Sequence, residues 1–236
     1  MQLKPNDAHI WTAAIDVDAE QAEHLMGQLN QHEQARAKRL IEPGDQRQFI
    51  AAHVILRQVL SMYLDVSPTN IEYVYSEHKK PSLAHAKNLK FNMSHSGSHV
   101  AIAVTTVATI GIDIEQLTQL NKIAVAERYF SPNEITLLQK LAEPEQIAGF
   151  YHLWACKEAV IKANGKGLSI PLNSFSVSLA ETPLQIELEN CAWTIYPIDL
   201  ILGYKAAVAC SQPLNSATIC QFSWQNNHKC KVIELK

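Results

Sequence analysis

Two early stretches of the chain repeat apolar residues at close to the 3.6-residue helical period. In the first, 19–40, Leu25, Met26 and Leu29 mark the face, Leu40 closes the segment and Pro43-Gly44 breaks it. In the second, 45–64, the face is Phe49, Ile50, Ala52, His53, Leu56, Val59 and Leu60. Shorter β-branched and aromatic runs then predict strands at 71–76 (IEYVYS), 99–106 (HVAIAVTT) and 110–115 (IGIDIE). The pattern then restarts. Helices are predicted over 121–129, 132–142 and 145–164, and strands near 174–179, 193–197, 204–210 and 218–223. Helices followed by strands, twice over, predict an α+β protein of two similar halves, 1–116 and 117–236, with HVAIAVTT and YKAAVACS as equivalent strands.

The helix ending in WACKEAVIKANGKG mixes two demands. Trp154, Ala155, Ala159, Val160 and Ile161 call for a core, whereas Lys157, Glu158 and Lys162 do not. Glu158 and Lys162 are four residues apart and share a helix face, with Trp154 one turn earlier on that face. Asn164-Gly165 supplies the stop. In GIDIE, Asp113 and Glu115 alternate with Ile112 and Ile114, so both carboxylates leave one side of a strand. Such a pair fits a solvated strand face or a bound cation. With Glu158 nearby, three carboxylates would suit Mg²⁺, which takes few protein ligands and keeps waters.

Basic residues gather in EQARAKRL (Arg36, Lys38, Arg39), at Arg47, and in HKKP (Lys79, Lys80). Each cluster alone reads as a solvated face; together they suit a ligand with several phosphates. FNMSHSGSHV places Ser94, His95 and Ser96 in apolar surroundings. Adjacent strand residues point to opposite faces and no GxSxG elbow occurs, which removes a serine-hydrolase dyad. Gly97 between His95 and His99 argues against a helical zinc pair. A polar strand end offering donors to phosphate fits better.

The chain has 236 residues, 47% hydrophobic and 18% charged, enough to bury a core and unlike a disordered chain. A net charge of −3 argues against a protein that coats nucleic acid. No apolar run reaches membrane-spanning length, and MQLKPNDAHIW lacks the features of a signal peptide. Five scattered cysteines without a CxxC pair lead to an expectation of free thiols in the cytoplasm.

KKP at 79–81, FNMSHSG at 91–97, GIDIE at 111–115, FSPNE at 130–134, FYHLWACKEAVIKANGKGLSIPLNSFSV at 150–177 and GYKAAVA at 203–209 follow one another in this order. In these motifs the sequence resembles the 4′-phosphopantetheinyl transferases of the Sfp type, over nearly the whole chain. The resemblance implies a monomer with its two α+β halves in pseudo-twofold arrangement and coenzyme A held between them. It implies transfer of the phosphopantetheine arm to a serine of an apo acyl or peptidyl carrier protein. It assigns Mg²⁺ to Asp113, Glu115 and Glu158, and coenzyme A contacts to Arg36, Lys80, Ser94, His95 and Lys162, with Glu158 and Lys162 as catalytic groups. Lys79 stands where many relatives have glycine, and Glu33 where some carry a basic residue. A carrier-docking patch is expected around Lys122, Arg128 and Phe130. The rival readings are another Mg²⁺-dependent phosphoryl or nucleotidyl transferase, and a coenzyme A-binding protein without turnover.

Overall fold

The computed structural model describes residues 1–234 apart from 87, 108, 120, 121 and 226. The first strand, β1 (Asp7–Ala14), escapes the sequence pattern because it is buried on both faces and shows no alternation. The helix expected over 19–40 is two helices, α1 (Ala19–Met26) and α2 (Gln31–Ala37). Asn30 starts the second: its side chain accepts the Glu33 N–H at 2.8 Å, and the Glu33 carboxylate accepts the Asn30 N–H at 3.0 Å. This reciprocal cap satisfies backbone groups that a continuous helix would have used.

Next come α3 (Pro43–Leu64), the short hairpin β2 (Tyr73–Tyr75) and β3 (Pro81–Leu83), then β4 (Lys90–Ser96) and β5 (His99–Thr105). The chain continues as β6 (Ile110–Gln116), α4 (Lys122–Tyr129), α5 (Pro132–Gln139) and α6 (Glu143–Asn164). Of the helix expected from 121, residue 121 lies outside the described residues. The last strands are β7 (Leu184–Leu188), β8 (Cys191–Ile198), β9 (Tyr204–Cys210), β10 (Ser216–Gln221) and β11 (Lys229–Glu234).

The strand expected at 174–179 is not formed; Leu172–Ser174 make a 3-10 turn and the chain beyond it is irregular. Side chains rather than a ladder hold this stretch. Lys157 donates to the Leu172 and Phe175 carbonyls at 2.7 and 2.5 Å, and the Glu134 carboxylate accepts the Val177 N–H at 2.8 Å.

One sheet runs β11-β10-β1-β5-β4 and a second β6-β9-β8-β7. Strand, two short helices, a 22-residue helix and an antiparallel strand pair therefore occur twice, as β1-α1-α2-α3-β4-β5 and β6-α4-α5-α6-β8-β9. The C-terminal strands cross back, β10 pairing in parallel with β1. α3 packs on the first sheet around Trp11, Ile55, Leu60 and Ile102. α6 packs on the second around Leu153, Val160, Ile195 and Ala207. A third cluster, including Ile10, Ala103, Ile112 and Val208, fills the space between the sheets.

Each long helix also carries a buried cation. Arg57 on α3 donates to Glu33 at 2.8 Å and to the Pro68 and Ile71 carbonyls; Lys157 on α6 meets Glu134 at 2.9 Å. Glu33 and Glu134 are the capping-box acids of α2 and α5, so each pair ties a short helix to a long one. Glu33 therefore belongs to the core and not to a phosphate site. Lys157, which the sequence placed among groups avoiding the core, is fully buried.

The expectation of free thiols fails for two cysteines. Cys220 and Cys230 face each other across β10 and β11 and form a disulfide, whereas Cys156, Cys191 and Cys210 are free. A ten-residue separation gives no CxxC signal; only the hairpin register brings the two sulfurs together.

Candidate active site

β4 and β6 are edge strands of their sheets, and the seam between them is closed by side chains. Asn92, Ser94 and Ser96 alternate along β4. The Asn92 side chain accepts the Ile112 N–H at 2.8 Å, the Ser94 hydroxyl donates to Asp113 Oδ1 at 2.7 Å, and the Ser96 hydroxyl donates to Glu115 Oε2 at 2.8 Å. Asp113 and Glu115 thus share a face of β6, as the period of a strand requires. The solvated-face reading fails for Asp113, which is 1% exposed.

α6 brings the third side of the cluster. Lys162 Nζ lies 2.5 Å from Asp113 Oδ1 and donates to the Ser94 hydroxyl at 2.9 Å. Burial acts to lower the Lys162 pKa, but Asp113, Glu158 and Glu115 carry it above its ordinary value. Burial raises Glu158 to about 7; Lys162 opposes the shift, and the charges of Asp113 and Glu115 add to it. Glu115 is raised by burial and by Asp113. These couplings place the three acids and Lys162 in one electrostatic unit.

Asp113 Oδ2 is buried and has no hydrogen-bond partner. An orphaned carboxylate oxygen beside two further acids is a donor set of the hard-oxygen type that suits Mg²⁺. Among the described residues, no three His, Cys, Asp or Glu side chains converge as a metal cage. The Lys162 ammonium balances charge through Asp113 Oδ1 alone, so Oδ2 is the Asp113 oxygen left for a cation.

Of the coenzyme A contacts that the resemblance implies, Ser94 and Lys162 lie in this cluster. His95 leaves β4 on the opposite side. Its pKa is lowered by burial and by the cations Lys162 and Arg36. Arg36 is exposed, with its guanidinium 5.2 Å from the centre of the Phe49 ring, which stacks on His53. Lys80 is placed differently: its ammonium donates to the carbonyls of Lys162, Ala163 and Ile110 at 2.6, 2.9 and 3.3 Å. Lys79 before it has φ 62°, so a lysine adopts the left-handed backbone usual for glycine.

Beside Glu115 a cavity of ≈310 Å³ is walled by Phe150, Tyr151 and Trp154 and edged by Lys122. The Lys122 ammonium sits 4.6 Å from the centre of the Tyr151 ring. Phe130 is 3% exposed and stacked on Phe150, so it belongs to the core rather than to a docking surface.

The family model described as "4′-phosphopantetheinyl transferase superfamily" matches residues 109–209, and the one described as "4′-phosphopantetheinyl transferase, N-terminal" matches residues 16–107. The 4′-phosphopantetheinyl transferase ffp of Bacillus subtilis is 34% identical over 211 residues, covering 87% of this chain and 92% of the relative. The chain belongs to the 4′-phosphopantetheinyl transferase superfamily. HetI of Nostoc sp., another 4′-phosphopantetheinyl transferase, is 32% identical over 95% of this chain and 92% of its own. Sfp of Bacillus subtilis is 34% identical over 82% of this chain and 88% of its own.

Within this transferase fold, sequence reasoning missed Asn92 and Ser96 as seam residues and Lys157 as a staple. The first two had a signal: polar residues at 92, 94 and 96 keep the strand period opposite Asp113 and Glu115. Lys157 had none, because its partner Glu134 lies upstream on another helix.

Proposed function

We propose that this chain transfers the 4′-phosphopantetheine arm of coenzyme A to a serine of an apo acyl or peptidyl carrier protein, releasing 3′,5′-ADP. The observation that carries the reading is the cluster of Asp113 and Glu115 on β6 with Glu158 and Lys162 on α6, bonded across the seam to Ser94 and Ser96 of β4. Asp113, Glu115 and Glu158 would hold Mg²⁺. When bound, it would offset charge on the pyrophosphate.

Lys162 begins on Asp113 and exchanges that partner for the pyrophosphate, neutralising the negative charge that grows on the departing 3′,5′-ADP. Glu158, as the ionised carboxylate, takes the proton of the carrier serine as its oxygen bonds to phosphorus and the phosphorus–oxygen bond to 3′,5′-ADP breaks. Arg36 and His95, on the α2–α3 side of β4, receive the nucleotide phosphates. Ser94 orients Asp113 and Lys162 together.

The repeated order of elements supports two similar halves in pseudo-twofold arrangement, with β6 opening the second, so the division expected at 116 moves to between β5 and β6; we take the chain to work as a monomer. We assign the reaction to the cytoplasm on account of its co-substrate. No helix among the described residues is long and apolar enough to cross a membrane.

The test is incubation with coenzyme A, Mg²⁺ and an apo carrier protein, followed by intact-mass measurement of the carrier. A gain of one phosphopantetheine arm is expected. Coenzyme A bound but unconsumed would overturn the reading.

A further inference from the structure

Helix α6 ends at Asn164, with Gly165 in the left-handed conformation (φ 93°) and its N–H returned to the Ile161 carbonyl at 2.9 Å. The next carbonyls, Lys162 and Ala163, are at the negative end of the helix and lack intrahelical donors. Lys80 supplies those donors from the first half of the chain, and its third N–H goes to Ile110, the first residue of β6. An ammonium has three N–H bonds, and here all three are committed. The lysine stem runs past Gly165, where a Cβ would fall 3.3 Å from Lys80 Cδ.

The acceptors belong to two segments that matter. Lys162 is itself a member of the cluster, and Ile110 precedes Asp113 by three residues on β6. The strained left-handed backbone at Lys79 fits a turn shaped to deliver Lys80 to this point.

We infer that Lys80 is a positioning residue for transfer: it clamps the last carbonyls of α6 to the start of β6 and so holds Lys162 against Asp113. This gives Lys80 a different task from the phosphate contact that the resemblance implies, and it rests on the transferase reading above.

Lys80→Met keeps the stem and removes the donors. Lys80→Arg keeps the charge, but its planar fork suits a phosphate better than three carbonyls around one point. Both variants are compared with the unaltered protein in carrier modification, with coenzyme A and dephospho-coenzyme A, and in hydrogen exchange over residues 158–166. Both should lose about 10- to 100-fold in kcat. The ratio of KM for the two coenzymes should stay within about twofold. Exchange over 158–166 should quicken about tenfold or more.

Full kcat in Lys80→Arg, with a changed KM ratio in Lys80→Met, would assign Lys80 to a phosphate and overturn the inference. A lowered Tm with kcat unchanged in both would reduce Lys80 to a stabilising contact and overturn it equally. If Lys80→Met does not fold, Lys80→Arg carries the comparison. Exchange is read without turnover. A protein that modifies no carrier would defeat the transferase reading, while unchanged exchange would defeat the clamp.

Discussion

A Cβ placed on Gly111 would lie 2.1 Å from the carbonyl oxygen of Ala159, so β6 and α6 meet backbone to backbone. The contact explains the first residue of GIDIE. Two residues on along β6 and three along α6, Asp113 and Lys162 meet at 2.5 Å, a distance set by how closely the two elements approach.

Gly111→Ala should therefore damage both fold and chemistry. The obstructing atoms are the Ala159 carbonyl and the Ala163 amide, which cannot rotate aside. Stability should fall by about 1–3 kcal/mol in urea unfolding. Transfer should fall about 100-fold. Near-normal carrier modification would show that the Asp113–Lys162 distance tolerates a shifted helix.

Asp113→Asn separates charge from shape. Asp113 is buried, so its loss is not a surface change: Lys162 would keep an ammonium with its nearest acid gone. Stability should fall by about 1–3 kcal/mol. Transfer should drop at least about 100-fold, and EDTA should abolish it in the unaltered protein. Activity that survives both treatments would end the assignment of a metal to this acid.

As a proposed Mg²⁺ ligand, Glu158 should give metal binding a pH signature. Without metal its pKa is about 7, raised by burial, so the carboxyl is largely protonated below that pH. Mg²⁺ needs the ionised form and must displace the proton. Apparent affinity should then rise with pH, by up to about tenfold per unit, until near 7 and level off above. Titration calorimetry in buffers of different ionisation enthalpy should find close to one proton released per metal at about pH 6 and few at about pH 8. An equal release at both would remove Glu158 from the metal.

How much of this was legible depends on where each partner lay in the chain. Asp113 with Glu115, and Glu158 with Lys162, are local patterns, and the strand and helix periods put each pair on one face. The Asn30-x-x-Glu33 and Ser131-x-x-Glu134 caps were also readable as helix starts, and the first would have split the segment 19–40. Pairing between distant segments was not readable. β1 joins β10 from the opposite end of the chain, and the Lys80 acceptors lie 30 to 83 positions away. No local propensity encodes such contacts.

Carrier recognition should depend on Lys122 and Arg128, without Phe130. Lys122 borders the aromatic cavity next to Glu115, and Arg128 stacks over Tyr129, 5.3 Å from the ring centre. Carrier proteins of this class are acidic and the chain is itself net negative, so attraction has to be local, within about a Debye length. Charge reversal at both positions should raise KM for the carrier and leave KM for coenzyme A unchanged. The opposite pattern would place docking elsewhere.

Dividing the chain at residue 116 separates β6 from α6 and tests whether the cluster needs both. Asp113 and Glu115 fall in fragment 1–116, whereas Glu158 and Lys162 fall in 117–236, so neither fragment holds the cluster. The division also strips β10 and β11 from the sheet built on β1, leaving β1 as an exposed edge. The third apolar cluster, which joins Ile10 and Ala103 to Val208 and Tyr196, would be opened in both pieces. Each fragment should be marginally stable and inactive. Mixing them should restore part of the transfer, because β10 can pair again with β1 while β6 pairs with β9. Carrier modification by each purified fragment and by the mixture is the measurement. Substantial transfer by 117–236 alone would refute the shared site and the roles given to Asp113 and Glu115.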